Sequence, residues 1–257
     1  MITYEDKVTM DLNADLGEYT NKGELDHELK LLEIVTSCNI ACGGHIGDEA
    51  SISTIISAAK GLGVAVGPHP SYPDIIGFGR RSIEISKHDL KDSLFSQIKS
   101  FLDVAKKHDA SVRHIKLHGQ LYNDVSKSRE LSKVFISAIK DHDLSLNVVG
   151  PFGCVTEEVC IKYELPFIPE AFVDRRYNQN LSLVSRREKH ALIDSIDARI
   201  SQAKMIALDQ SVFIDGKRLN MHAQTLCIHG DTPNALESAQ LIKAELESEG
   251  VKLKYYG

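Results

Sequence analysis

Asn39–Asp48 reads NIACGGHIGD and stands between two segments of opposite character. Ile34–Ile40 (IVTSCNI) is rich in β-branched residues and reads as a buried strand. From Ser51 the run SISTIISAAKGLG has the apolar spacing of a helix with one face on a core. The ten residues between are therefore a strand-to-helix turn. Gly43, Gly44 and Gly47 permit backbone conformations and approaches that a side chain would block, and His45 is expected to project from the loop. A glycine turn carrying a surface histidine is also ordinary punctuation, so the reading depends on whether the pattern recurs.

It recurs along the whole chain. Val8–Leu12 ends in NADLGE, which places Asn13, Asp15 and Glu18 just beyond a short strand. Val64–Val66 runs into GPHPSYPD and sets His69 between two prolines. Val112–Leu117 closes in HGQLYND, with Lys116 inside the strand end and His118 past it. Leu146–Val149 ends in GPFG, Phe167–Pro169 precedes EAFVDRRY, and Gln224–Ile228 delivers HGDTP. Helical spacing is read at Leu25–Leu32, Ser51–Gly61, Ser86–Lys107, Ser126–Asp141, Cys154–Tyr163 and about Lys189–Gln210. A last helix is expected from Pro233, with Asp231 or Thr232 as its cap. Gly67–Arg81 and Gln179–Arg187 are irregular excursions, and Ser211–Met221 with its Asp-Gly turn reads as a hairpin.

Seven strands, six with a clear helix behind them and no linker, predict an α/β protein: one seven-stranded (β/α) barrel domain over residues 1–257, a distorted TIM-type barrel. Each strand of such a barrel hands its following loop to one face. Asp15, His45, His69, His118, Glu170, His229 and Asp231 are therefore expected to gather there as a site.

The totals narrow the ligand. A net charge of -6 without a long basic run argues against nucleic acid and against an anionic membrane surface, and favours a small molecule. The N-terminus MITYEDKVTM carries acids where a secretory signal would be apolar, so a cytoplasmic location is expected. The five cysteines include no C-x-x-C pair, which disfavours a zinc knuckle or a disulfide framework.

Histidines and carboxylates on one face can act as general acids and bases or hold a divalent metal. No H-E-x-x-H helix is present, and no intrinsic metal is predicted. His27, His88, His108, His114, His142, His190 and His222 fall in helical or connecting stretches and are read as bystanders. There is no G-x-x-x-x-G-K-[ST] phosphate loop and no dinucleotide fingerprint. Arg80 and Arg175 are the arginines favoured to clamp a carboxylate or phosphate.

Six motifs in order, DLNADLGE, NIACGGHIGD, GPHPSYPD with GFGRR, IKLHGQLYN, EAFVDRRY and CIHGDTP, resemble the LamB/YcsF family from about Met10 to Pro233. The resemblance implies a barrel of the glycoside hydrolase/deacetylase kind and the work of a 5-oxoprolinase A subunit. That work is ATP-driven opening of the 5-oxoproline lactam to glutamate, with B and C subunits as partners and Mg2+ accompanying the ATP. It further implies that Asp11, Asn13, Asp15, His45, His69, Lys116, His118, Glu170, Asp174, Arg175, His229 and Asp231 line the site. The roles expected here put Asp15, His45, His69, Lys116, His118, Glu170, Asp174, Arg175, His229 and Asp231 in the catalytic set, with Asp11, Asn13, Arg80 and Tyr122 on the substrate. Leu117, Gln120, Ile46 and Gln179-Asn180 depart from the family's usual residues and bear on which lactam or amide is taken. Competing readings are a metal-dependent amide hydrolase or carbohydrate deacetylase on the same barrel, and a non-catalytic scaffold subunit. Self-association is compatible with each.

Overall fold

The computed structural model describes residues 8–257, so the acidic N-terminal stretch lies outside the described residues. The elements run β1 (Thr9–Leu16), α1 (Lys22–Leu32), β2 (Ser37–Ala41), α2 (Glu49–Leu62), β3 (Ala65–His69), α3 (Lys87–Lys107), β4 (His114–Lys116), α4 (Gly119–Lys127) and α5 (Arg129–Lys140). There follow β5 (Asn147–Pro151), α6 (Val155–Lys162), β6 (Phe167–Phe172), α7 (Ile196–Asp209), β7 (Ser211–Ile214), β8 (Lys217–Asn220), β9 (Thr225–Ile228), α8 (Ala235–Ser248) and β10 (Lys252–Leu253).

Seven parallel strands in the order β3-β2-β1-β9-β6-β5-β4 form a nearly closed barrel with helices around it. The ring meets itself at a single parallel bridge, Val66 to Val112, where Arg113 N donates to Val66 O at 3.1 Å. Gly67 permits this seam, because a Cβ there would lie 2.2 Å from the carbonyl oxygen of His114. The strands expected from the sequence are present, as is the hairpin β7–β8, whose Asp215 and Gly216 both take positive φ (47° and 79°) as a two-residue hairpin turn requires.

The alternation along β1 explains the barrel's lining. Leu12, Ala14 and Leu16 are fully buried against the helical layer, whereas Asp11, Asn13 and Asp15 turn inward. Register sets Asn13 opposite Ser37 and Asp15 opposite Asn39 on one side, and Asp11 opposite Thr225 and Asn13 opposite Cys227 on the other. The inside of the barrel is thus a polar ladder, and the apolar core lies between strands and helices.

Four expectations are corrected. Asn13 and Asp15 lie within β1, because a strand with a polar inner face resembles a loop in sequence. The helix expected over Ser126–Asp141 is two helices, since Ser128 takes an extended conformation (φ -119°, ψ 111°) and caps α5 through Leu131 N. Residues 189–195 are not helical. Ile193 N donates to Asp174 O and Arg176 N to Ala191 O, so this stretch packs beside the 174–178 segment until Ser195 caps α7. The last helix begins at Ala235 after Asn234 in the left-handed region (φ 57°), leaving Asp231 free for other partners. The strand β10, paired with the start of β1, has no counterpart in the sequence reading.

Candidate active site

A cavity of about 1310 Å3 opens where the strands end, lined by Asp15, Lys116, His118, Tyr122, Phe172, Arg175 and His229 among others. Its floor is built on Lys116. The Nζ of this buried lysine lies 2.7 Å from Glu170 Oε1 and 3.1 Å from Asp15 Oδ1, Asn13 Oδ1 and Cys227 Sγ. Burial opposes its charge, but the carboxylates of Asp15 and Glu170 outweigh burial and hold Lys116 well above the usual lysine range. Burial likewise opposes ionisation of Asp15, and His69 and Lys116 reverse it, so Asp15 remains a carboxylate. Burial pushes the Cys227 thiol well up, which removes it as a nucleophile at neutral pH.

A relay of side-chain donors leads to the two carboxylates. His114 Nε2 meets Asn39 Oδ1 at 3.0 Å, and Asn39 Nδ2 donates to Asn13 Oδ1 and Asp15 Oδ1, each at 2.9 Å. Asn13 Nδ2 donates to Glu170 Oε1 at 2.9 Å, while Tyr122 OH donates to Glu170 Oε2 at 2.6 Å. Asn39 and His114 were not singled out from the sequence. His114 is no bystander in a connection: it sits in β4, buried, and burial lowers it to about 3, which keeps the ring neutral. The alternation Ser37, Asn39 within SCNIA was the available signal.

His45, His69 and His118 form a second layer beside Asp15. His45 does not project to the surface but is 1% exposed, stacked on His118 with ring centroids 3.6 Å apart. Gly47 (φ 96°) curls the loop under it. Burial lowers His45 to about 4; its Nε2 meets Glu18 Oε1 at 2.8 Å and its Nδ1 meets Ser71 Oγ at 3.1 Å. Ser71 is itself fixed by Gln97 of α3, which accepts from Ser71 N and donates to Ser71 O.

The tautomers of the other two rings follow from their neighbours. His69 Nδ1 faces the carbonyl oxygen of Lys116 at 2.8 Å and His118 Nε2 faces that of Phe78 at 3.0 Å, so both nitrogens carry protons. The remaining nitrogens, His69 Nε2 and His118 Nδ1, are 3.1 Å apart, with Asp15 Oδ2 at 3.3 Å from the first and Glu18 Oε1 at 3.2 Å from the second. Four acceptors therefore converge, and a shared proton or a cation reconciles them. Asp15, His69 and His118 form one group of metal-ligand geometry, and Glu18, His45 and His118 another.

The upper wall holds the remaining residues. His229 Nδ1 is 2.9 Å from Asp174 Oδ1, and the ring stacks on Phe172 with centroids 5.2 Å apart. Burial opposes the Asp174 charge, yet His229 outweighs it and the carboxyl is lowered. Asp231 accepts from Arg80 at 2.6 Å and Arg186 at 3.0 Å. Arg175 lines the same wall. Asp11 is apart from all of these, at the other end of β1, where it accepts from Thr36, Ser37 and Thr225 hydroxyls and does not line the cavity.

Residues 10–256 match the model of the LamB/YcsF family. The chain belongs to the LamB/YcsF family. Its relatives in that family include the 5-oxoprolinase A subunit of Campylobacter jejuni subsp. doylei, 36% identical over 245 residues and covering 95% of this chain and 96% of that one. Another is a 5-oxoprolinase A subunit of Pseudomonas syringae pv. tomato, numbered 3 in that organism, 38% identical with the same coverage. Among solved structures, the lactam utilization protein of Thermus thermophilus superposes with a TM-score of 0.89 at 34% identity, covering 96% of this chain and all of that one. For this LamB/YcsF protein the barrel expected from the six motifs is therefore the barrel observed. Among the described residues no helix is long and apolar enough to cross a membrane.

Proposed function

We propose that this chain is the lactam-handling subunit of an ATP-dependent 5-oxoprolinase, opening 5-oxo-L-proline to L-glutamate together with B and C partner subunits. The observation that carries this reading is the pairing of a buried cation and a buried carboxylate at the cavity floor, Lys116 Nζ to Asp15 Oδ1 at 3.1 Å, in a family whose relatives are named as the A subunit of 5-oxoprolinase. A five-membered lactam is unstrained and keeps its amide resonance, the effect that raises a barrier of about 18–20 kcal/mol to rotation about the bond. ATP with Mg2+ would supply a phosphoryl group to the lactam oxygen, leaving ADP and turning a poor electrophile into a good one. Water then adds to the carbon, the C–N bond breaks, and a second water frees the phosphoryl group as inorganic phosphate to leave glutamate.

The chain's own groups manage charge and protons. Lys116 faces the oxygen as negative charge grows on it. Asp15 borders the cavity with His69 Nε2 at 3.3 Å behind it, so a proton taken from the attacking water has an imidazole lone pair to reach. Asp174 fixes Nδ1 of His229, leaving Nε2 to serve the ring nitrogen as the C–N bond breaks. Glutamate and ADP release from 5-oxoproline and ATP tests the proposal, with this protein alone and assembled with its B and C partners. Release by the assembly, lost in Lys116→Met, is expected. An assembled complex that releases neither product overturns the reading.

The converging acceptors of His69, His118, Asp15 and Glu18 favour a second reading, a cation-dependent amide hydrolase or deacetylase that needs no ATP. Stoichiometric zinc in the purified protein, with ATP-independent hydrolysis of N-acetyl sugars, would select it.

A further inference from the structure

The cations around the cavity differ in one respect. Lys116 is held by Asp15 and Glu170, Arg81 by Asp74, and Arg80 and Arg186 share Asp231, while Lys127 and Arg187 line the cavity from exposed positions where water solvates them. Arg175 has no carboxylate partner among the described residues, although it is 6% exposed and borders the cavity. Its Nη2 donates to the carbonyl oxygen of Val184 at 2.7 Å, while its Nε is buried without any hydrogen-bond partner. Asp174, its neighbour in sequence, is committed to His229.

This arrangement is not how the fold treats a merely structural arginine. Arg199, 1% exposed and also without an ion pair, spends its donors on Ile193 O, Pro233 O and Ser238 Oγ, and none of its nitrogens is buried without a partner. A buried guanidinium lacking both a counter-ion and a full set of acceptors is unfavourable unless something completes it. Its place is also fixed, since the backbone of Arg175 bridges Leu192 and Gln202 Nε2 donates to its carbonyl oxygen at 2.9 Å. The guanidinium is thus built in and held, and the cavity is the side from which an anion can reach it.

We propose that Arg175 is the anion subsite of the cavity and takes the carboxylate of a small cyclic amide acid. The carboxylate's source rests on the lactam reading above; the need for an anion does not. A monoanion matches the single charge of Arg175, which is buried, whereas Arg80 and Arg186 share one carboxylate, Asp231, and keep a net positive charge between them. Of Arg80 and Arg175, both favoured on sequence to clamp a carboxylate or phosphate, the carboxylate is thereby given to Arg175. Phe172, three residues earlier and on the same cavity wall, offers an apolar face for ring methylenes.

Calorimetric titration of the full-length protein, alone and assembled with its partners, tests this with 5-oxo-L-proline, 2-pyrrolidone, N-acetylglycine and inorganic phosphate. 2-Pyrrolidone is the same ring without the carboxylate. The wild type is expected to bind 5-oxo-L-proline at least tenfold more tightly than 2-pyrrolidone. Arg175→Gln should bring that ratio to about one, and Arg175→Lys should restore part of it, with unfolding midpoints confirming that both variants fold. Discrimination that survives Arg175→Gln overturns the proposal, as does absence of binding by any carboxylate. Phosphate binding that depends on Arg175 and excludes 5-oxo-L-proline overturns the carboxylate assignment. Arg175-dependent binding of N-acetylglycine without binding of either lactam leaves the subsite standing and removes the lactam reading instead.

Discussion

Lys116 Nζ lies 2.7 Å from Glu170 Oε1, with the two side chains 2% and 0% exposed, so each charge depends on the other in a place water does not reach. Removing Lys116 strands Glu170, whereas removing Glu170 leaves Lys116 with Asp15. Lys116→Met is expected to destabilise the fold by about 3–5 kcal/mol, and Glu170→Gln, which keeps the shape, by less. Urea unfolding monitored by circular dichroism measures both, and a Lys116→Met protein as stable as wild type would contradict the pairing.

The turn beneath His45 has little tolerance. Gly47 has φ 96°, and a Cβ there would lie 2.5 Å from the backbone oxygen of Ala41, which cannot swing aside as a side chain would. Gly47→Ala is expected to cost about 1–3 kcal/mol from the strained conformation alone, with the steric clash adding to it. A lowered thermal midpoint should accompany loss of lactam opening as His45 and Glu18 shift.

Asp11 gives the stability a recognisable pH dependence. Burial pushes its carboxyl from 3.8 up to about 6, against the pull of the Thr225, Thr36 and Ser37 hydroxyls. Between those values the folded chain holds more protons than the unfolded one, so this group's contribution falls as pH rises from about 4 to about 6 and is level above. The span corresponds to at most about 3 kcal/mol. Asp11→Asn should remove that slope, and denaturant midpoints at a series of pH values for both proteins would show whether it does.

In the proposed reaction Asp174 acts through His229, whose Nδ1 it holds. Asp174→Asn keeps the shape but replaces the carboxylate that holds His229 Nδ1 at 2.9 Å, so a drop in the proposed lactam opening of roughly a hundredfold is expected. An unchanged rate would mean that His229 moves no proton.

Most of the barrel was legible because its strands are short apolar runs ending in glycine, proline or a polar turn. Val148, Leu226 and Ile115 announce themselves in this way. The hairpin at Asp215-Gly216 did so through turn chemistry. Within the strands, what sequence reading missed has one physical origin, the polar interior. Asn13 and Asp15 looked like the start of a loop because inward-facing positions of a strand are usually apolar, and His114 and Asn39 were passed over for the same reason. The break at Ser128 and the late start of α7 at Ile196 lay in the choice of capping serine, which helical periodicity does not report. Gathering of the site residues followed from topology, but the direction of hydrogen bonding, and the lack of a partner for Arg175 Nε, depend on side-chain geometry.

The polar ladder inside the barrel divides the mutational freedom of each strand by parity. In β1, Leu12, Ala14 and Leu16 answer only to volume and can drift among aliphatic residues as the helices drift with them. Asn13 and Asp15, one residue away, each hold several bonds whose donors and acceptors are already assigned. A lineage can therefore rebuild the outer shell of this protein almost residue by residue while its lining changes only through coordinated replacements.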